Sequence, residues 1–109
     1  MYTVKITRVA EEDLSEAVEY ISEKLKAPIA ANNLLDLIEQ KIKLLADSPF
    51  SCRLLNNEYF QQKGIRFLQV KSYIIFFRIH EDKNEISIIR ILYARRDWVT
   101  LLSDKKFEE

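Results

Sequence analysis

The stretch that decides the fold runs from Ile65 to Tyr93: IRFLQV, then KS, then YIIFFRIH, then EDKN, then EISIIRILY. Three runs rich in β-branched and aromatic residues are separated by links of two and four residues, short enough that each run must fold back on the last. They predict antiparallel strands over Ile65 to Val70, Tyr73 to His80 and Glu85 to Tyr93. Side chains alternate across a strand, so Ile74 and Phe76 take one face while Tyr73, Ile75, Phe77 and Ile79 take the other. In the last run Ile86, Ile88 and Leu92 are expected to oppose Ile89, Ile91 and Tyr93. Both faces of the sheet are apolar and both need a cover.

Upstream of the sheet, Tyr2, Val4 and Ile6 alternate with Thr3, Lys5 and Thr7, the period of a half-buried strand. Thr7 is placed to cap a helix in which Leu14, Ala17, Val18, Ile21 and Leu25 recur at helical spacing, with Glu11, Glu12 and Asp13 near its positive end. Pro28 ends this helix and opens the next, where Ala31, Leu34, Leu35, Ile38, Ile42 and Leu45 form one stripe until Asp47, Ser48 and Pro49 stop it. So short a connection makes the two helices an antiparallel hairpin that covers one sheet face. Downstream of Arg95 only a short helix through Trp98, Leu101 and Leu102 is available for the other. A loop containing Gly64 precedes the sheet. The expectation is an α+β fold of order β-α-α-β-β-β, residues 1–109 forming one domain, with a mainly antiparallel twisted sheet. Part of its second face is left for a partner.

Composition narrows the function. The chain has 109 residues, 48% hydrophobic and 31% charged, enough to fold without staples. One glycine excludes the glycine-rich phosphate loops, and a single cysteine, Cys52, excludes an intrachain disulfide or a Cys-x-x-Cys zinc site. Met1 to Arg8 contains no apolar core of a secretory signal and no apolar run is long enough to span a membrane, so a cytoplasmic protein is expected. His80, the only histidine, lies beside Glu81 and Asp82 at a strand end and reads as a surface residue. No metal site or Ser-His-Asp arrangement is expected.

The formal charge is zero, but residues 1–50 carry a net −3 and residues 51–109 a net +3. Arg66, Lys71, Arg78, Arg90, Arg95 and Arg96 are interleaved with Tyr73, Phe77, Tyr93 and Trp98. Guanidinium forks and aromatic rings together suit a nucleic acid or a charged protein groove. Arg78 and Arg90 sit inside apolar strands, where an ion pair with a helix carboxylate such as Glu16 or Glu19 would account for them. Arg95, Arg96 and Trp98 cluster where the chain leaves the last strand, and there packing demands less.

The order Ala10, Asp13-Leu14, Tyr20-Ile21, Ala30-Ala31, Leu45, Pro49, Gly64-Ile65-Arg66, Tyr73-Ile74-Ile75-Phe76, Ile89-Arg90-Ile91-Leu92 and Arg95-Arg96-Asp97-Trp98 resembles the RelE/ParE superfamily of toxins from type II toxin-antitoxin, or plasmid stabilisation, modules. The likeness runs from Tyr2 to about Leu102. It implies a bacterial protein that arrests growth, needs no cofactor or metal, and is silenced by a cognate antitoxin whose largely disordered tail wraps the sheet and helices. Tyr73, Phe77 and Tyr93 are the expected antitoxin contacts. RelE-like members cleave messenger RNA on the ribosome; a nuclease of that kind would here use Arg66, Lys71 and Arg95. Yet the arginine that such members carry just after the Tyr73 equivalent is Ile74, and no His or Tyr follows Arg95. The pattern is closer to the ParE-like branch, which inhibits DNA gyrase by binding. Arg66, Arg95, Arg96 and Trp98 are then the expected target contacts. The mRNA endonuclease and a non-toxic binding module are the alternatives.

Overall fold

A computed structural model describes residues 1–103; the last six residues of the expected domain lie outside the described residues. The order is β1 (Thr3–Ile6), α1 (Arg8–Glu19), α2 (Pro28–Asp47), α3 (Glu58–Gln62), β2 (Ile65–Val70), β3 (Tyr73–His80), β4 (Glu85–Tyr93) and α4 (Trp98–Leu102). The sheet runs β1-β4-β3-β2, with β1 parallel to β4 and the other pairings antiparallel. The α1–α2 hairpin carries the chain over the sheet from β1 at one edge towards β2 at the other, and the β2-β3-β4 meander then returns to place the last strand beside the first. No described helix is long and apolar enough to cross a membrane.

The helices begin where side chains can satisfy their free amides. The Ala10 N–H donates to Thr7 Oγ1 (3.2 Å), and the same hydroxyl donates to the Ile89 carbonyl (3.2 Å), fastening the start of α1 to β4. Between α1 and α2 the chain widens into a π-helical turn, Tyr20–Lys24, closed by the Leu25 N–H on the Tyr20 carbonyl (3.1 Å). Pro28 then stands in the first turn of α2, where its missing N–H costs no bond.

One face of the sheet meets the hairpin: Ala10, Leu34, Ile38 and Leu45 bury Ile75, Phe77, Ile86, Ile88 and Ile91. The opposite face is covered further than a C-terminal helix alone would manage, so the part left open is smaller than expected. The segment expected as a loop supplies α3, whose Phe60 joins Leu102 of α4 over Ile65, Phe76, Ile89 and Leu92. Trp98 packs between them, its ring 6.5 Å from Phe60 and 5.7 Å from Phe76. Only margins such as Phe67 and Ile74 remain half-exposed. Residues 53–55 also lie along β2, with the Leu55 N–H on the Ile65 carbonyl (3.0 Å) and the Phe67 N–H on the Arg53 carbonyl (3.1 Å), blunting that sheet edge.

Strict alternation fails in β4. The β3–β4 register slips between Phe76 and Phe77, which face Arg90 and Ile88, so Ile89 is the extra residue of a β-bulge. Beyond the bulge the faces exchange: Ile91 turns to the helical hairpin beside Ile86 and Ile88, while Leu92 joins Ile89 on the other side. The expected grouping of Leu92 with Ile86 and Ile88, and of Ile91 with Ile89, is corrected accordingly.

Candidate functional site

The bulge also explains Arg90. Its Nε and Nη2 donate to Asp13 Oδ2 and Oδ1 at 2.7 and 2.8 Å, and both residues are only 8% exposed. Asp13 Oδ2 also accepts the Ile91 N–H (3.1 Å), and Arg90 Nη1 donates to the Leu101 carbonyl (3.3 Å). Helix α1, strand β4 and helix α4 are thereby joined through one fork-to-fork pair. An ion pair with a helix carboxylate was expected for Arg90, but the carboxylate is Asp13 and not Glu16 or Glu19. Arg78 lies half-buried on β3.

Above this pair, at the end of the sheet where β2 turns into β3 and β4 ends, lies a groove of about 670 Å³. Tyr20, Ile21 and Leu25 wall it on the helical side, Tyr73, Ile91 and Tyr93 on the sheet side, with Glu16 and Arg96 contributing opposite charges. Tyr20 and Leu25 are 53% and 56% exposed, since the π-helical turn pushes them outward from the hairpin. The Tyr73 and Tyr93 rings meet edge to face at 5.6 Å. Burial, with Tyr93 and Tyr20 nearby, pushes the Tyr73 hydroxyl above its ordinary pKa of 10.0, so it stays protonated at neutral pH.

Lys71 sits at the β2–β3 turn with φ +55°, a left-handed conformation that the tight link imposes on a residue with a Cβ. The Ala94 N–H donates to the Ser72 carbonyl (2.8 Å), tying this turn to the stretch that leaves β4. Arg95 and Arg96 follow, both exposed, on a turn closed by the Arg96 N–H on the Tyr93 carbonyl (3.0 Å). Asp97 then caps α4, accepting from the Thr100 N–H (3.3 Å) and hydroxyl (2.7 Å). Those two bonds hold its carboxyl below the usual value.

Lys71, Tyr73, Tyr93, Arg95 and Arg96 thus share one end of the molecule, and the other expected site residues do not join them. Arg66 stands four positions before Val70, about 13 Å along β2 at 3.3 Å per residue. Its Nη1 donates to the Cys52 carbonyl (2.6 Å) and its guanidinium stacks over Phe50 at 5.1 Å. Phe77 is fully buried beneath the hairpin, so it is a core residue and not an antitoxin contact. Trp98 faces inward onto Phe60 and Phe76, bracing α4 instead of stacking beside the two arginines. His80 is half-buried at the other end of β3, its Nε2 3.1 Å from Ser87 Oγ. Burial raises the pKa of the Cys52 thiol. No group of three or more described His, Cys, Asp or Glu residues is arranged to hold a metal ion. Sequence reasoning missed Tyr20, Ile21 and Leu25 as groove residues, because a π-helical turn leaves no signature in hydrophobic spacing.

The profile of the ParE toxin family of the type II toxin-antitoxin system, parDE, matches residues 4–98. Among solved structures, the chain is similar to one from the chromosomal ParDE toxin-antitoxin system of P. aeruginosa, at 24% identity and a TM-score of 0.72, covering 87% of this chain and 98% of that one. It is similar to a chain of the RelBE2 toxin-antitoxin complex of Mycobacterium tuberculosis at 20% identity and a TM-score of 0.61, covering 84% and 90%. A chain of the intact E. coli RelBE complex follows at 15% identity and a TM-score of 0.56, covering 88% and 100%. At these identities the likeness is one of fold. No curated protein matches the chain.

Proposed function

This chain belongs to the ParE toxin family of type II toxin-antitoxin systems, and on that premise we propose that it arrests bacterial growth in the cytoplasm by binding DNA gyrase, with Arg95 and Arg96 as the principal target contacts. The observation that carries this reading is the exposed Arg95-Arg96 turn, anchored on both sides and, among the described residues, without a histidine or uncommitted carboxylate adjacent to it in sequence. The adjacent carboxylate, Asp97, is committed to the α4 cap and held in its charged form. Tyr73 is pushed further from neutrality, and His80 is at the opposite end of the sheet. A guanidinium hardly deprotonates, so this end is furnished for gripping and poorly furnished for general acid-base work.

A ribosome-dependent mRNA endonuclease is the second reading, favoured by the company that Lys71 and Arg95 keep with two tyrosines. Against it stands Arg66, which is turned to Cys52 and Phe50 and held away from the other two cations. The cognate antitoxin is proposed to place an amphipathic segment in the groove, over Tyr73 and Tyr93, ordering as it binds.

The test runs two assays side by side: gyrase supercoiling, and cleavage of messenger RNA on programmed ribosomes. Wild type inhibits supercoiling and leaves the message whole, whereas Arg95→Ala/Arg96→Ala loses inhibition by roughly 10- to 100-fold, the loss of a charge-assisted contact of about 1.5–3 kcal/mol. Message cleavage without gyrase inhibition overturns the reading in favour of the second.

A further inference from the structure

The hairpin end of the sheet carries three exposed cations, Lys71, Arg95 and Arg96, none of which has an ion pair with a described residue. They stand on two loops stitched together by the Ala94 N–H on the Ser72 carbonyl (2.8 Å), and the Lys71 loop is further held by the Gln69 side-chain amide on the Lys71 carbonyl (3.0 Å). The one carboxylate adjacent in sequence, Asp97, is turned into its cap. We propose that these three residues form a phosphate-binding surface for duplex DNA, so that the chain contacts the DNA held by its target as well as the target protein. This inference rests on the gyrase reading for its biological setting, and its chemistry can be tested apart from it.

The distribution of charge supports an extended polyanion. Along α1 and the π-helical turn the exposed Glu11, Glu12, Glu16, Glu19 and Glu23 outnumber the exposed Arg8 and Lys24, so that side of the helical layer disfavours phosphate while the hairpin end attracts it. A chain of zero formal charge is in this way polarised, and a duplex is admitted in one orientation. Arginine forks match phosphate oxygens bidentately, lysine adds a point charge, and three cations on two tied loops address neighbouring phosphates without requiring a deep pocket. The Tyr93 ring, 38% exposed beside them, adds a hydroxyl able to donate to a phosphate or sugar oxygen.

Equilibrium binding of the purified chain is measured to a fluorescein-labelled duplex, to gyrase alone and to gyrase holding that duplex, between 50 and 200 mM KCl. Neutralising three phosphates gives log K against log salt a slope of about −2.7, roughly a 40-fold loss over that range, for both duplex-containing samples. Arg95→Ala/Arg96→Ala lowers the slope to about −0.9, and Arg95→Lys/Arg96→Lys, which keeps the charges, retains it. Lys83→Ala, on the hairpin at the opposite end, leaves it unchanged. Circular dichroism of each variant separates loss of contact from loss of fold. The inference is overturned if the slope does not respond to the alanine pair, if duplex binding is undetectable at 50 mM, or if single-stranded RNA gives the steeper slope. Salt-dependent duplex binding with no affinity for gyrase would instead sustain this surface and sink the gyrase reading.

Discussion

Removing one partner of the Asp13–Arg90 pair should cost the protein more than removing both. Arg90→Met leaves the Asp13 carboxylate, 8% exposed, with the Ile91 N–H as its remaining described donor, and takes away the bond to the Leu101 carbonyl. An uncompensated buried charge of this kind costs about 3–5 kcal/mol. For 109 residues the unfolding entropy near the midpoint is about 0.23 kcal/mol/K, so the melting temperature should fall by about 13–22 °C. Asp13→Leu/Arg90→Met removes both charges but still orphans the Ile91 N–H, an unsatisfied donor worth about 1–3 kcal/mol, or about 4–13 °C. The double variant should therefore melt above the Arg90→Met single. Scanning calorimetry of wild type, both singles and the double closes the cycle, and a double variant whose loss equals the sum of the singles would refute the coupling.

Two further outcomes follow from single side chains. Trp98 is the only tryptophan and lies in α4, so its fluorescence reports on that helix; the Asp97 carboxyl is held below its ordinary 3.8, which means the cap is fully formed above that pH and lost as pH falls through the lower folded value. Trp98 emission should shift to the red in that acid window, and Asp97→Asn, which caps without titrating, should remove the step. Cys52→Ser/His80→Gln should leave growth arrest intact in cells, since Cys52 is kept as a thiol by burial and His80 is engaged with Ser87 away from the arginines; loss of arrest in a folded double variant would place the site elsewhere.

How much of this was legible from residues alone follows the range of the interactions involved. The strands Ile65–Val70, Tyr73–His80 and Glu85–Tyr93 were readable because β-branched runs and two tight links are local signals, as were the Thr7 cap and the role of Pro28. The bulge at Ile89 was not, because an extra residue in one strand shows only against its partner's register. On the second face the short helix through Trp98, Leu101 and Leu102 was readable, but the contribution of α3 was not: Phe60 sits in a five-residue helix too short to show periodicity, yet with Trp98 it covers much of that face. In the candidate site, the exposure of Arg95 and Arg96 followed from their place just beyond a strand, whereas the burial of Phe77 required knowing which face the hairpin covers.

That division bears on how one fold serves different chemistries. The bulge turns Arg90 onto Asp13, and their pair holds α1, β4 and α4 together without using any atom of the Arg95-Arg96 turn. The turn is fixed instead by backbone bonds, Arg96 N–H to Tyr93 and Ala94 N–H to Ser72, which constrain no side chain. Side chains there can change without loss of packing, so the chemistry of this end depends on what stands beside the cations. A histidine or an unbound carboxylate at position 97 would add a proton-exchanging group to a phosphate grip. Here that position is an aspartate bound to Thr100, which accords with the proposal that these cations act by binding.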